Sequence, residues 1–288
     1  MASEEMDVMS STVVPSENPD KRIVEEIEDG MAKYMSWLYS SPYSRVEDGK
    51  EFLRLTTDVP DPFSNFLLRL RFSEQDVESR MDDMMEFFKS RNLPTSCWIG
   101  PCCTPLCLGE QLTSHGFVRH QELESFGMTI DLDKLNENLP VPEGLTVTRV
   151  ADDDGMRMYL HPFEEGFEFP KAVASQWGIM DASHGYDTGL PRVNYVATAD
   201  GVPVSCTTLF KTGTSAGIYC VATVKGMRRK GAATALIVKA LRDAKDEGYR
   251  MGLLTAKAMG ASVYRRIGFV DRPCKFGWYT WQPHRAIH

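Results

Sequence analysis

The stretch from Gly217 to Phe269 reads GIYCVATVKGMRRKGAATALIVKALRDAKDEGYRMGLLTAKAMGASVYRRIGF. An apolar, β-branched run, Ile218 to Val224, breaks into the basic loop Lys225 to Gly231, and a helix follows at once over about Ala232 to Glu247. In that helix Ala233, Leu236, Ile237, Ala240, Leu241 and Ala244 recur at the i, i+3, i+4 spacing of one buried stripe, which fixes the helix axis against a sheet. The amides from Arg229 to Thr234 then point outward without partners. Free N–H groups, the positive end of the helix dipole, a glycine that permits close backbone approach and four nearby cations make an anion site suited to a pyrophosphate.

Arg228-Arg229-Lys230-Gly231-Ala232-Ala233 fits the pattern R-x-x-G-x-G/A and resembles the pyrophosphate loop of the GNAT N-acetyltransferase superfamily. Downstream, after a strand at Met251 to Thr255, Ala261-Ser262-Val263-Tyr264-Arg265-Arg266-Ile267-Gly268-Phe269 is similar to that superfamily's A-x-x-Y-x-x-x-G-F helix and strand. The resemblance covers roughly the C-terminal half. It implies acetyl-CoA as co-substrate, with no metal. It places the cofactor against Val221, Ala222 and Thr223, against Arg228, Arg229, Lys230, Gly231, Ala232, Ala233 and Thr234, and against Tyr264. In that scheme strand amides around Val221 to Thr223 meet the acetyl carbonyl, and Tyr264 donates a proton to the departing thiolate. A phenol's ordinary pKa of about 10 is close enough to a thiol's for that transfer. The alternative reading of Tyr264 is a core tyrosine.

The chain has 288 residues, about twice the usual domain size, so two domains are expected, each with its own core. No apolar run approaches the roughly 18 residues of a membrane span, and the start, MASEEMDVMSS, is acidic where a targeting peptide would be basic, so a cytoplasmic protein without a membrane partner is expected. Seven cysteines, four of them crowded at Cys97, Cys102, Cys103 and Cys107, form no C-x-x-C pair and read as reduced, buried thiols. The formal charge of −8 is concentrated in residues 1–31, whose nine acids face only Lys21 and Arg22. The remainder is nearly neutral and offers no basic face for nucleic acid.

The expected fold class is α/β (α+β): two GNAT-like domains, each a mixed, largely antiparallel central sheet flanked by helices. Residues 1–18 read as an acidic disordered tail, 19–135 as a degenerate GNAT-like domain, 136–144 as a linker and 145–288 as the catalytic domain. The first domain rests on an internal repeat. Strand, helix, strand, helix, Gly116-Phe117 repeats the order that ends in Gly268-Phe269. At that offset Tyr264 falls on Leu112, and Arg71-Phe72-Ser73 stands where a glycine loop would be. In the second domain a strand at Leu145 to Val150 and a helix at Asp152 to Tyr159 precede an irregular stretch, His161 to Gly189. Two strands flanking Asp200-Gly201 then form a hairpin.

Amide formation from a thioester requires a held and polarised carbonyl, a neutral amine and a stabilised thiolate. No carboxylate stands on Ile218 to Val224, so the base is sought among Glu164, Glu165 and Glu168, with Glu165 taken as the second catalytic residue acting through water. Phe163, Glu164, Phe167 and Tyr219 are assigned to the substrate, because an aromatic, acidic stretch encloses a compact cation. Asp181, Ser183 and His184 have the residue types of a hydrolytic triad but are crowded into four positions, too close for separate roles. The expected function is transfer of an acetyl group to a primary amine of a small molecule in a ternary complex, by a monomer or homodimer. A protein lysine or N-terminal acetyltransferase and a non-catalytic acyl-CoA-binding regulator are the alternatives.

Overall fold

Residues 19–283 are described by a computed structural model. The N-terminal half contains α1 (Pro19–Tyr39), β1 (Arg45–Asp48), β2 (Leu53–Thr56), β3 (Phe66–Leu68), α2 (Val77–Ser90), β4 (Thr95–Ile99), α3 (Leu108–Ser114), β5 (Val118–Arg119) and β6 (Ser125–Asp131). The C-terminal half contains β7 (Leu145–Arg149), α4 (Asp153–Phe167), α5 (Lys171–Ala182), β8 (Arg192–Ala199), β9 (Val202–Thr212) and β10 (Ser215–Thr223). It ends with α6 (Ala232–Asp246), β11 (Met251–Ala256), α7 (Ala261–Ile267) and β12 (Val270–Trp281). The result is a mixed, mostly antiparallel sheet flanked by helices, in the order β1-β2-β3-β4-β12-β6-β11-β10-β9-β8-β7. Among the strands of the described residues only β3·β4 and β10·β11 pair in parallel, and each pair is joined by a crossover helix, α2 or α6.

The two halves exchange strands. β6, which precedes residues 136–144, lies between β11 and β12 of the other half, with Leu254 opposite Met128 and Val270 opposite Thr129. β12 in turn runs on past Phe276, and its last residues, Gly277 to Trp281, pair with β4. The sheet is therefore continuous across the segment expected as a linker.

On one sheet face α1, α4 and α5 share a core that includes Tyr34, Leu38, Tyr159, Phe163, Trp177, Tyr219 and Leu253. On the other, α6 and α7 close a core around Leu236, Ile237, Leu241, Ile267 and Phe269, while α2 and α3 close one around Met81, Met85, Phe88 and Leu112. Truncating any of these fully buried side chains to alanine costs about 2–5 kcal/mol.

The stretch expected to be irregular after Tyr159 is largely helical. α4 continues to Phe167 and α5 covers Lys171 to Ala182, with Pro162 inside α4. A proline there removes one helix hydrogen bond, but the apolar stripe Met156, Tyr159, Phe163 continues through it into the core, so packing overrides the breaker. The hairpin at Asp200-Gly201 forms as expected, with φ of 50° and 81°, the conformation of a tight primed turn.

Candidate active site

β10 and β11 are paired only from Ser215 to Gly217, although both strands run on. The cause lies in β10 itself. Between Tyr219 and Ala222 its register against β9 shifts, and Cys220 adopts φ 52°, so the strand bulges away from β11. The parallel pair thus opens towards its carboxyl ends, the position where open α/β sheets take ligands. Val221, Ala222 and Thr223 occupy the splayed end.

From there the chain makes a short 3-10 turn at Lys225–Met227 and reaches α6 through Arg229 (φ 63°) and Gly231 (φ 92°). Gly231 is the N-cap and supplies no side-chain bond, so the amides of Ala232, Ala233 and Thr234 are left for a ligand. A Cβ at Gly231 would stand 3.2 Å from Pro142 Cγ, so residues 140–142 buttress the loop from outside.

Arg228 has a different position from the one its motif suggests. Its Nε donates to the Thr223 carbonyl (3.1 Å) and its Nη2 to the Gly166 carbonyl (2.9 Å), tying β10, the loop and the end of α4 together. Arg229 and Lys230 are exposed and hold no carboxylate partner among the described residues.

At Gly166 α4 comes close to the splayed strand. A Cβ there would lie 2.8 Å from Ala222 Cβ and 2.9 Å from the Thr223 amide nitrogen. Next to it, Glu164, Glu165, Glu168, Phe169 and Lys225 line a hollow of about 390 Å³. Glu168 pairs with Lys225 at 3.0 Å, and that hydrogen bond holds its carboxyl below the usual carboxylate range. Glu165 faces His161 at 3.9 Å. Phe167 is half-buried and touches Phe169, their ring centroids 5.2 Å apart. Phe163 (1 % exposed) and Tyr219 (6 %) are inside the core behind this hollow.

Tyr264 sits on α7, the helix that follows β11, half-buried with its ring edge-on to Phe269 at a centroid distance of 6.0 Å. Burial pushes its phenol up to about 12. Cys220, at the bulge, is also held in its protonated form. Burial raises its thiol to about 11, while the Tyr34 hydroxyl of α1 at 3.3 Å opposes that shift.

The corresponding opening in the N-terminal half is laced shut. Beyond β3 and β4, Arg71 and Thr104 form a parallel bridge, the Thr104 amide donates to the Leu70 carbonyl at 2.9 Å, and the Phe72 amide donates to the Thr104 carbonyl at 3.0 Å. Leu112, the repeat counterpart of Tyr264, is fully buried.

The family model for the acetyltransferase (GNAT) domain matches residues 192–270, from β8 through the splayed pair and the loop to the start of β12. Residues 192–270 are those of a GNAT domain. Among solved structures, a GCN5-related N-acetyltransferase from Kribbella flavida is 17 % identical, with a TM-score of 0.67 over 90 % of this chain and 96 % of that one. A GCN5-related N-acetyltransferase from Sphaerobacter thermophilus, also 17 % identical, gives 0.60 over 84 % and 83 %. A tandem GNAT protein from the clavulanic acid biosynthesis pathway gives 0.56 at 12 % identity, over 91 % and 96 %. At these identities the likeness is one of fold. No curated protein matches the chain.

Sequence reasoning finds the stripe of α1 from Ile23 to Leu38, but not its place at the back of the opening, nor Gly166 or the Arg228 clamp. A Cβ at Gly30 would meet Tyr219 Oη at 2.9 Å, and Tyr34 stacks on Tyr219 at 4.6 Å. The signal for Gly166 was present: it stands three residues beyond Phe163, close to the stripe that α4 buries.

Proposed function

We propose that the GNAT domain uses acetyl-CoA to acetylate a primary amine of a small molecule, by direct transfer in a ternary complex. The observation that carries this reading is the early end of the β10–β11 ladder, at Gly217 and Leu253, opening beside the uncapped start of α6. The free amides at Ala232 to Thr234, with Arg229 and Lys230, are assigned to the pyrophosphate. Amides of the splayed strand around Val221 to Thr223 are assigned to the acetyl carbonyl, whose oxygen gains charge as the amine attacks.

In the step itself the amine nitrogen bonds to the acetyl carbon, the carbon–sulfur bond breaks, and the electron pair leaves on sulfur. With its pKa near 12, Tyr264 stays protonated throughout the working pH range and serves the thiolate as a hydrogen-bond donor, the proton following as the thiol forms. Glu165, exposed at the end of α4, takes a proton through water from the substrate's ammonium, so that the neutral amine attacks; Glu164, which lines the same hollow, and Phe167, packed against its Phe169, are assigned to the substrate. Direct transfer is favoured over an acetyl-cysteine intermediate because Cys220, the thiol on the splayed strand, is not a thiolate near neutrality.

The test is release of CoA thiol from acetyl-CoA with a panel of primary amines. Turnover with at least one amine, falling about 10²-fold in Tyr264→Phe, is the expected result. Acetyl-CoA binding without turnover on any amine or peptide would instead favour an acyl-CoA-binding regulator.

A further inference from the structure

A cavity of about 1420 Å³ lies outside the groove just described, at the seam between the two halves. The strand exchange produces it. α3 and α7 each cover their own half on the same sheet face, and the strip of β6 and β12 between them has no helix above it on that face. The other face of the strip is covered by α1, whose Ile27 meets Gly127 and Cys274. Two glycines keep the cavity open. Gly109 on α3 faces the Tyr279 hydroxyl, where a Cβ would be 2.6 Å away, and Gly277 leaves the floor of β12 without a side chain.

The charges in this cavity are not balanced pair by pair. Arg265 is fully engaged with Asp271 at 3.0 and 2.6 Å, and Arg119 with Glu124 at 2.7 and 2.5 Å. Arg272 spends only Nε, on Thr129 Oγ1 at 2.7 Å, so its two terminal nitrogens have no partner among the described residues. Neither Lys275 nor the Tyr279 hydroxyl has one there either. Arg272 lines the cavity within a second irregularity of the sheet: between Asp271 and Lys275 the register of β12 against β6 shifts. Glu110 is the single unpaired acid in the lining. Beside these donors the surface is apolar, formed by Ile99, Phe126 and the fully exposed Leu106.

We propose that the seam cavity binds an amphipathic anion. Arg272, Lys275 and the Tyr279 hydroxyl meet its charged head, and Ile99, Phe126 and Leu106 meet its apolar body. Unspent donors beside uncovered apolar surface favour a ligand with both parts, because a small inorganic anion would leave the floor wet and a neutral apolar body would leave the donors unpaired. Strands β6 and β11 separate the cavity from the β10–β11 opening, so it is a site apart from the acetyl-CoA groove.

The test is a fluorescence titration of the full chain with 8-anilinonaphthalene-1-sulfonate as probe. One saturable site is expected, displaced by decanoate but not by decylamine or by CoA. Arg272→Gln and Lys275→Gln should each weaken the probe about tenfold. Thr113→Trp, which fills the cavity from the exposed face of α3, should weaken it at least as much with every charge retained. Melting curves matching wild type show that Lys275→Gln, at an exposed and unpartnered position, acts locally. Unsaturable binding, displacement by decylamine as efficiently as by decanoate, displacement by CoA, or indifference to both charge removals would overturn the proposal.

Discussion

Gly166→Ala tests how α4 is docked on the splayed strand. The added methyl would stand 2.8 Å from Ala222 Cβ, 2.9 Å from the Thr223 nitrogen and 3.3 Å from the Thr223 oxygen, and two of these three atoms are backbone that cannot rotate away. Relief requires the end of α4 to lift by roughly 1 Å, at the 1–3 kcal/mol usual for overpacking. Alanine returns about 1 kcal/mol of helix propensity. Lifting α4 also stretches the 2.9 Å bond from Arg228 to the Gly166 carbonyl, and a lost charge-assisted bond costs about 1.5–3 kcal/mol. The balance is a destabilisation of about 1.5–5 kcal/mol, read as a lower urea midpoint at unchanged m-value. Acetyl-CoA affinity should fall at least tenfold in calorimetry, because Thr223 and the loop move together. An alanine variant as stable as wild type, with unchanged affinity, would refute the claim that this contact sets the opening.

Arg228→Lys keeps the charge but cannot reach both carbonyls from one nitrogen, so acetyl-CoA affinity should drop almost as far as in Arg228→Ala; full retention in the lysine variant would return Arg228 to a simple phosphate contact. Asp181 and Arg192, 1 % and 3 % exposed and 3.1 Å apart, form a buried pair, and Asp181→Asn should cost about 3–5 kcal/mol by leaving Arg192 without its counter-charge, measurable by denaturation. Burial raises the Asp181 carboxyl above its unfolded value, an effect that Arg192 and Asn194 oppose. Protonation is therefore easier in the folded state. This residue lowers stability as pH rises from about 4 through its folded pKa, so it contributes nothing to acid unfolding. A fragment of residues 136–288 lacks β6 and should not fold on its own, since β11 and β12 lose the strand between them; a cooperative melt and native-like circular dichroism from the fragment would contradict the strand exchange.

The parts of the fold legible in the sequence were those governed by local periodicity. The stripe of α6 and the glycine before it lie where the spacing placed them, and the Tyr264 helix lies where the family resemblance placed it, because each is specified within a few residues. The bulge at Cys220 was hidden, since the residues it involves, Tyr219 and Cys220, pack against Tyr34 of α1, nearly two hundred residues earlier in the chain. The partner of β6 was equally hidden. Phe126 to Leu132 reads as a strand in isolation, and nothing in its pattern says that its neighbours are β11 and β12 rather than β4. Arg228 shows the limit of a motif: the residue matches the phosphate-loop pattern, but both contacts it makes here are to carbonyls of the chain.

The account depends first on the opening beside α6 being an acetyl-CoA site, and calorimetric titration of acetyl-CoA into the wild-type chain and into Gly231→Val tests this most directly. Valine at φ 92°, with its Cβ 3.2 Å from Pro142, costs about 1–2 kcal/mol of stability and blocks backbone approach to the pyrophosphate. The account predicts one acetyl-CoA per chain for wild type and no detectable heat for a folded Gly231→Val. No binding to wild type, or equal affinity in the variant, would contradict it.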